Sequence, residues 1–201
     1  VSGDSAADDM QRIQIRETIL SHLQQEEALF RRGIKCLSLF FIDQVAKYRD
    51  LSGNGETVGY GKIFEEEYED IVSDRLKHPT QDDILDPSYA QYLGQFEAHS
   101  VHSGYFSVDK KGNAVESKAE KKAEREDDIG INDDDAKRAY DLILRDKERL
   151  LSFDEPVRFI FSHSALREGW DNPNIFQICT LKESGSETSK RQEVGRGMRL
   201  A

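Results

Sequence analysis

The sequence has few cysteines, no long apolar stretch and no signal-peptide pattern in its first residues. Cys36 and Cys179 are its two cysteines, and each lies within an apolar run. That number and spacing argue against a disulfide framework or a zinc site and predict reduced, buried thiols in a cytoplasmic protein. No apolar run approaches the roughly 20 residues of a membrane-spanning helix. Residues 1–9 are small and acidic, unlike a signal peptide.

The chain also has no excess of positive charge. It contains 39 Asp and Glu against 28 Lys and Arg, for a formal net charge of -11. The imbalance is uneven, because residues 157–201 hold seven Lys and Arg against five Asp and Glu. Such a distribution does not fit a protein held to DNA mainly by a basic surface. It leaves room for nucleic-acid contacts that are few and local to the carboxy-terminal part.

The length and composition indicate one domain that carries a solvated insertion. There are 201 residues, of which 37% are hydrophobic and 33% are charged. This is enough for one core, but it is polar for a globular domain. We expect residues 1–10 to be a disordered start or a cloning remnant, and residues 11–201 to form the domain. The insertion is placed at about 52–135; within it, residues 117–135 are dense in both charge signs and poor in apolar residues.

Strand and helix patterns alternate along the chain. Near-continuous apolar runs are typical of strands buried on both faces of a parallel sheet, and they occur at 34–42, 157–162 and 175–181; residues 101–108 can also be extended. Amphipathic or charged helical patterns occur at 9–32, 44–51, 62–76, about 132–151 and 187–199. Together these patterns predict an α/β fold with a central, mostly parallel sheet flanked by helices.

Two segments near the carboxy terminus have the chemistry of a ligand site. Residues 162–174 follow a predicted buried strand, and ligands of open α/β sheets bind beyond the carboxyl ends of strands. In the second segment, residues 192–199, Arg196 and Arg199 lie three apart and would share one helical face. Arginine offers a planar, permanently charged fork that suits the terminal phosphates of a nucleotide. An isolated Gly-Arg-x-x-Arg is more often a solvated basic turn, so the interpretation depends on both segments together.

These residues carry a resemblance to a known family. Gly169-Trp170-Asp171, followed by Gln-x-x-Gly-Arg-x-x-Arg at 192–199, resembles motifs V and VI of superfamily 2 helicases. The wording at 34–43 and 101–107 is similar to motif IV and later parts of one lobe of the helicase and endonuclease (Res) subunit of type III restriction enzymes. The resemblance covers most of the chain from about residue 11. It implies a RecA-like lobe, the second of the two lobes of an ATP-dependent DNA motor.

The resemblance implies a role for each matching residue. Arg196 and Arg199 match the arginine fingers of motif VI, which act on the γ-phosphate of ATP. Gln192 and Gly195 of motif VI, with Gly169 and Asp171 of motif V, match positions beside the nucleotide. Ser162 and Ser164 lie at a strand end where related helicases contact the DNA backbone, although the threonine common at the start of motif V is not present.

The resemblance also implies what the remainder of the enzyme supplies. ATP and Mg²⁺ would be held mainly by a first lobe outside this chain, so the chain alone is expected to be inactive. Double-stranded DNA and a modification methyltransferase subunit would be partners, and endonuclease activity would lie in a separate domain. Two alternatives stay open: a motor lobe of another superfamily 2 branch, of the type I restriction or excision-repair type, and an interaction module that has lost catalysis.

Other candidate sites are rejected on their residues. Gly59 to Ile63 resembles the end of a phosphate-binding loop, but Glu56 and Ile63 occupy the positions that need Gly and Ser or Thr. His99 and His102 do not have the further ligands of a metal site, so a structural role is expected. The carboxylates at 127–135 do not have the spacing of a calcium loop. No metal site is therefore predicted.

Overall fold

The core of the chain is a four-stranded parallel sheet. A computed structural model describes residues 2–50, 56–77, 85–106, 138–139, 141–162 and 172–181, with backbone alone for 2–8. The strands are Leu37–Phe41 (β1), His102–Tyr105 (β2), Phe159–Ser162 (β3) and Ile175–Thr180 (β4). Their order across the sheet is β2-β3-β1-β4, and every pairing is parallel. All of these strands were predicted, and this architecture is consistent with an α/β RecA-like lobe.

Helices cover both faces of this sheet. The α-helices among the described residues are Ser2–Phe30 (α1), Tyr60–Lys77 (α2), Pro87–Leu93 (α3) and Lys147–Leu150 (α4). A π-helical turn, Asp141–Arg145, precedes α4, and 3-10 turns lie at Val45–Lys47 and Ala98–Ser100. No helix among the described residues is both long and apolar enough to cross a membrane.

The central strands β1 and β3 carry apolar side chains on both faces because helices cover each face of the sheet. On one face Phe40, Phe159 and Phe161 pack with side chains of α1, α2 and α3, and the rings of Phe40 and Phe161 stack at 4.6 Å. On the other face Leu39 and Ile160 pack against the residues around the π-helical turn and α4. Burial on both faces is the physical origin of the continuous apolar runs in the sequence.

Helix α1 is longer than predicted, and not all of its apolar residues face the core. It begins at Ser2, whereas the pattern predicted a start near residue 9. Among its apolar residues at helical spacing, Ile15, Ile19 and Leu23 are fully buried, but Ile13 is 55% exposed and Leu20 38% exposed. The inward face instead takes in polar side chains, which the apolar pattern alone does not reveal.

Two predicted helices are wrong in extent. Residues 44–51 were predicted to be helical, but only the 3-10 turn Val45–Lys47 forms, and Arg49 then pairs with Thr57 in an isolated antiparallel bridge. Tyr48 is drawn into the core, where its ring lies 4.6 Å from that of Phe161, so tertiary packing overrides the local preference. In the predicted helix at 132–151, Asp146 interrupts the described part by capping α4 through the Arg149 amide at 3.1 Å.

Candidate functional site

The carboxyl ends of all four strands meet at one edge of the sheet, which we call the carboxyl edge. Ser162, the last residue of β3, lies in register with Phe41 of β1 and with Tyr105 of β2, and Thr180 of β4 lies on the other side of Phe41. The carbonyl of Ser162 accepts a hydrogen bond from the Ile42 amide at 2.9 Å. The segment predicted to be motif V therefore follows the carboxyl end of β3, which lies between β2 and β1, and ligands of open α/β folds bind at this edge of the sheet.

A small polar cluster stands at the carboxyl edge directly after β1. The Lys47 ammonium donates to Asp43 Oδ2 at 2.6 Å, and the Tyr60 hydroxyl donates to Asp43 Oδ1 at 3.4 Å. Partial burial opposes the charged form of Lys47, but the hydrogen bond and charge of Asp43 together with the interactions with Tyr60 outweigh it and raise the pKa of Lys47. Burial raises the pKa of the Tyr60 phenol. At neutral pH the cluster holds one ion pair fixed by a neutral hydroxyl, and it anchors the turn that follows β1.

Most of the residues predicted to form the site lie outside the described residues. These are Ser164, Gly169 and Asp171 of the motif V segment, and Gln192, Gly195, Arg196 and Arg199 of the motif VI segment. Ser162 is described, and it is fully buried within the sheet. Its role as a DNA contact stays a prediction, as do the roles of the other seven. Trp170 and the helix predicted at 187–199 also lie outside the described residues.

The described residues that follow the segment predicted to be motif V are anchored at the other edge of the sheet, where β1 begins. The Asn172 side chain accepts from the Asn174 amide at 3.0 Å, and the Asn174 side chain donates to the Lys35 carbonyl at 2.8 Å. The Leu37 amide donates to the Asn174 carbonyl at 2.9 Å. The segment predicted to be motif V is thus bounded by Ser162 at the carboxyl edge and by this fixed turn next to the start of β1.

A fully buried ion pair, which the sequence pattern did not predict, holds β3, the strand that leads into the segment predicted to be motif V. Arg158, immediately before β3, donates to Glu26 Oε2 of α1 at 2.7 Å, and both side chains have no exposed surface. Arg158 also donates to the Tyr68 hydroxyl, while the Tyr89 hydroxyl donates to Glu26 Oε2 at 3.0 Å. The available signal was weak: an arginine within an apolar run, and a helix carrying His22 and Glu26 four residues apart.

His22 extends this buried cluster in its neutral form. Its Nε2 lies 3.3 Å from Glu26 Oε1, and its Nδ1 lies 2.7 Å from Ser38 Oγ. Burial, which disfavours the imidazolium, lowers the pKa of His22. Burial alone would raise the pKa of Glu26, but the charge of Arg158 together with the interactions with His22 and Tyr89 lowers that pKa to about 2. The cluster therefore combines a neutral imidazole with a charged carboxylate.

Acid should destabilise the fold through both of these groups. The unfolded chain binds a proton on His22 below its ordinary pKa of 6.5, whereas the folded chain resists it. The free energy of unfolding should thus fall as pH drops below 6.5, by up to about 1.4 kcal/mol per pH unit for one proton. Glu26 adds a loss between its ordinary 4.5 and about 2. Urea unfolding at several pH values measures both.

The variant His22→Gln should remove the part of that slope that lies just below pH 6.5. His99, whose side chain is 69% exposed, offers the matched control, and His99→Gln should leave the slope unchanged. A His22→Gln protein that keeps the parental slope from pH 7 to 5 would show that His22 does not fold as the neutral form.

The surroundings of several remaining candidates are described. His102 bridges Tyr48 and Glu65, with Nδ1 at 2.7 Å from the Tyr48 hydroxyl and Nε2 at 3.0 Å from Glu65 Oε1. Both cysteines are free thiols, Cys36 buried and Cys179 partly buried. Among the described residues no cluster of His, Cys, Asp and Glu could hold a metal ion. Lys62 lies in the first turn of α2 rather than in a phosphate-binding loop.

Comparison with known proteins points to one enzyme class. No protein-family model matches the chain. It is 45% identical over 196 residues to the type III restriction-modification enzyme EcoPI Res subunit of Escherichia phage P1, and 46% identical over 198 residues to the EcoP15I Res subunit of Escherichia coli. It is 36% identical over 214 residues to the StyLTI Res subunit of Salmonella typhimurium. These alignments cover 94–96% of this chain but only 17–19% of the relatives. The chain is thus homologous, over nearly its whole length, to one segment of the Res subunits of type III restriction-modification enzymes.

Proposed function

We propose that this chain is the second motor lobe of an ATP-dependent DNA translocase that serves a type III restriction-modification system. The observation that carries the proposal is that β3, the strand preceding the segment predicted to be motif V, ends at Ser162 on the carboxyl edge of a parallel sheet ordered β2-β3-β1-β4. The homology to Res subunits supports this branch of superfamily 2 over the type I and excision-repair branches. The presence of both arginines of the predicted motif VI, Arg196 and Arg199, supports a motor over a module that has lost catalysis.

The proposed mechanism divides one ATP site between two lobes. The first lobe, outside this chain, would grip the phosphates and Mg²⁺. This lobe would supply Arg196 and Arg199 to the γ-phosphate, with Gln192, Gly195, Gly169 and Asp171 lining the opposite wall of the cleft. The guanidinium groups would neutralise charge that develops on the phosphoryl oxygens during transfer. Closing on ATP and opening after hydrolysis would move the lobes relative to each other along DNA.

The DNA contacts proposed for this lobe are local. Ser164, two residues after the end of β3 in the sequence, would donate its hydroxyl to a backbone phosphate, while buried Ser162 would fix that strand end. The modification methyltransferase subunit would read the recognition site, and a separate nuclease domain would cut. The modest charge of the carboxy-terminal part fits a lobe that tracks the DNA backbone with few contacts.

A complementation assay tests whether the ATP site is shared. We expect DNA-stimulated ATP hydrolysis from the full-length subunit, none from the 201-residue chain alone, and partial recovery when the preceding lobe is added as a separate protein. Circular dichroism of the isolated chain serves as the control for folding. ATP turnover by the isolated chain at the rate of the full-length subunit would overturn the proposal, because the site would then be complete within one lobe.

A further inference from the structure

Helix α1 carries a stripe of exposed apolar side chains on the side opposite its buried face. Met10, Ile13 and Leu20 are 57%, 55% and 38% exposed. Their spacings of three and seven residues place them on one side of the helix, away from the buried side that includes Ile19. Apolar residues exposed singly need no explanation, but a stripe along one side of a helix is typical of a binding surface.

A groove between α1 and α2 continues this stripe. Glu17, Leu20 and Gln24 line it from α1, and they keep the spacing of the stripe. Ile71 of α2, which is 3% exposed, lines it from the other helix. Its volume is about 780 Å³, far more than the roughly 30 Å³ share of one water molecule, so it admits side chains of a partner. We call the stripe and the groove together the α1–α2 surface.

The charged groups that line the groove leave an excess of negative charge. They are two arginines and three carboxylates: Arg16, Arg75, Glu17, Asp70 and Asp74. Arg16 donates to Glu67 at 2.6 Å and to Asp70 at 2.9 Å. Arg75 donates to Glu27 at 3.4 Å. Both guanidinium groups are therefore held by carboxylates, and the charge that a partner meets in the groove is mainly that of Glu17 and Asp74.

The charge of the two helices restricts what can bind. Together α1 and α2 contain twelve Asp and Glu against five Lys and Arg, and Arg31 and Arg158, outside these helices, offset two of the twelve. Nucleic acids and anionic membrane surfaces carry charge of the same sign. A second copy would set two acidic surfaces against each other. A protein segment with apolar and basic side chains, by contrast, complements both the stripe and the carboxylates.

We propose that the α1–α2 surface docks a helix from the part of the subunit outside this chain, with apolar residues along one side and Lys or Arg next to them. Met10 and Leu20 are ten residues apart, or about 15 Å along the helix axis, so a partner helix of about three turns spans the stripe. Amphipathic helices commonly bind in grooves through such apolar anchors. The alignments cover only 17–19% of the relatives, so a subunit of their length has ample further chain. The inference rests on the proposed function only in treating the chain as one lobe of a longer subunit.

Photo-crosslinking in the full-length subunit identifies the occupant. Benzoylphenylalanine replaces Ile13 or Leu20, and the cross-linked peptides are identified by mass spectrometry. We expect both positions to react with one segment of the same polypeptide, outside this lobe, that carries Lys or Arg beside apolar residues at helical spacing. The same probe in place of Glu148 of α4, on the other face of the sheet, should not capture that segment.

Any other result of the crosslinking overturns the proposal. Cross-links between two copies of the subunit, to DNA, to a different protein, to an acidic segment or within this lobe would each assign the surface to another contact. Absence of a cross-link at both positions would show that the stripe faces solvent.

Oxidation of Met10 by hydroxyl radicals supplies a second measurement on the full-length subunit. The side chain is 57% exposed in the lobe, so docking should slow its oxidation. We expect Ile13→Glu/Leu20→Glu to speed that oxidation severalfold, because charges enter an apolar contact at positions that are exposed in the lobe itself. An unchanged oxidation rate in this variant would contradict the docking.

Charge reversal tests the basic character of the occupant. Glu17→Lys/Asp74→Lys should also speed the oxidation of Met10, because like charges then face each other. The control Glu148→Lys/Asp154→Lys makes the same change of charge on exposed residues outside the surface and should have no effect. Equal rates in these two variants would overturn the proposed chemistry. Arg196→Ala should keep the parental rate, so that the docking and the motor function are tested separately.

Discussion

Replacing either Arg196 or Arg199 with Ala in the full-length subunit should lower ATP turnover by about 10³- to 10⁵-fold. The reason is electrostatic, because an arginine finger stabilises negative charge that develops only in the transition state. That factor corresponds to roughly 4–7 kcal/mol of activation free energy. The KM for ATP should change much less than kcat. Steady-state hydrolysis with saturating duplex DNA is the measurement.

Two variants make this result specific. Arg199→Lys keeps the charge but loses the planar fork, so it should restore only a small part of the rate. Arg31→Ala removes an arginine directly after α1 whose side chain is 56% exposed, and it should leave turnover unchanged. Parental turnover in both the Arg196→Ala and Arg199→Ala proteins would eliminate the arginine-finger role.

Replacing Arg158 with Met should lower the free energy of unfolding by about 3–5 kcal/mol. The substitution leaves Glu26 charged and buried without its 2.7 Å partner, and it removes the donor to Tyr68. A buried unpaired carboxylate costs far more than the loss of one exposed ion pair. Urea denaturation of the chain at pH 7, followed by circular dichroism, measures the difference.

The partner variants separate the buried charge from lost packing. The double variant Glu26→Leu/Arg158→Met removes both charges and should recover most of the stability lost in Arg158→Met. Arg31→Met breaks the exposed pair with Glu27 and should cost less than about 1 kcal/mol. A similar loss from Arg31→Met and Arg158→Met would mean that the buried pair contributes no more than a surface pair.

The sheet could be predicted from the sequence because burial on both faces makes each central strand a continuous apolar run. Residues 37–41 and 159–162 are buried on both faces, so every position must be apolar or small, and the run stands out in a polar chain. Helix α2 was recognised for a similar reason, since its buried side chains recur at helical spacing. Patterns of this kind can be recognised because the solvent exposure of each position restricts the residue types found there.

What the sequence did not predict depends on contacts between distant segments. The helix predicted at 44–51 fails because Tyr48 reaches Phe161 and His102, which lie far along the chain. The buried pair of Glu26 with Arg158 joins residues 132 positions apart, and a charged residue is ordinarily assigned to the surface. The motif VI arginines were found by their pattern alone, and their assignment remains a prediction.

The most direct measurement for the account as a whole is a structure of the full-length subunit with ADP, aluminium fluoride, Mg²⁺ and duplex DNA. We predict that the guanidinium groups of Arg196 and Arg199 lie within about 3 Å of the fluoride ligands, which stand in for the transferred phosphoryl oxygens. Both side chains should reach across a cleft from a nucleotide held by the preceding lobe. Side chains of both arginines packed elsewhere, with the nucleotide enclosed by other residues, would contradict the proposed function.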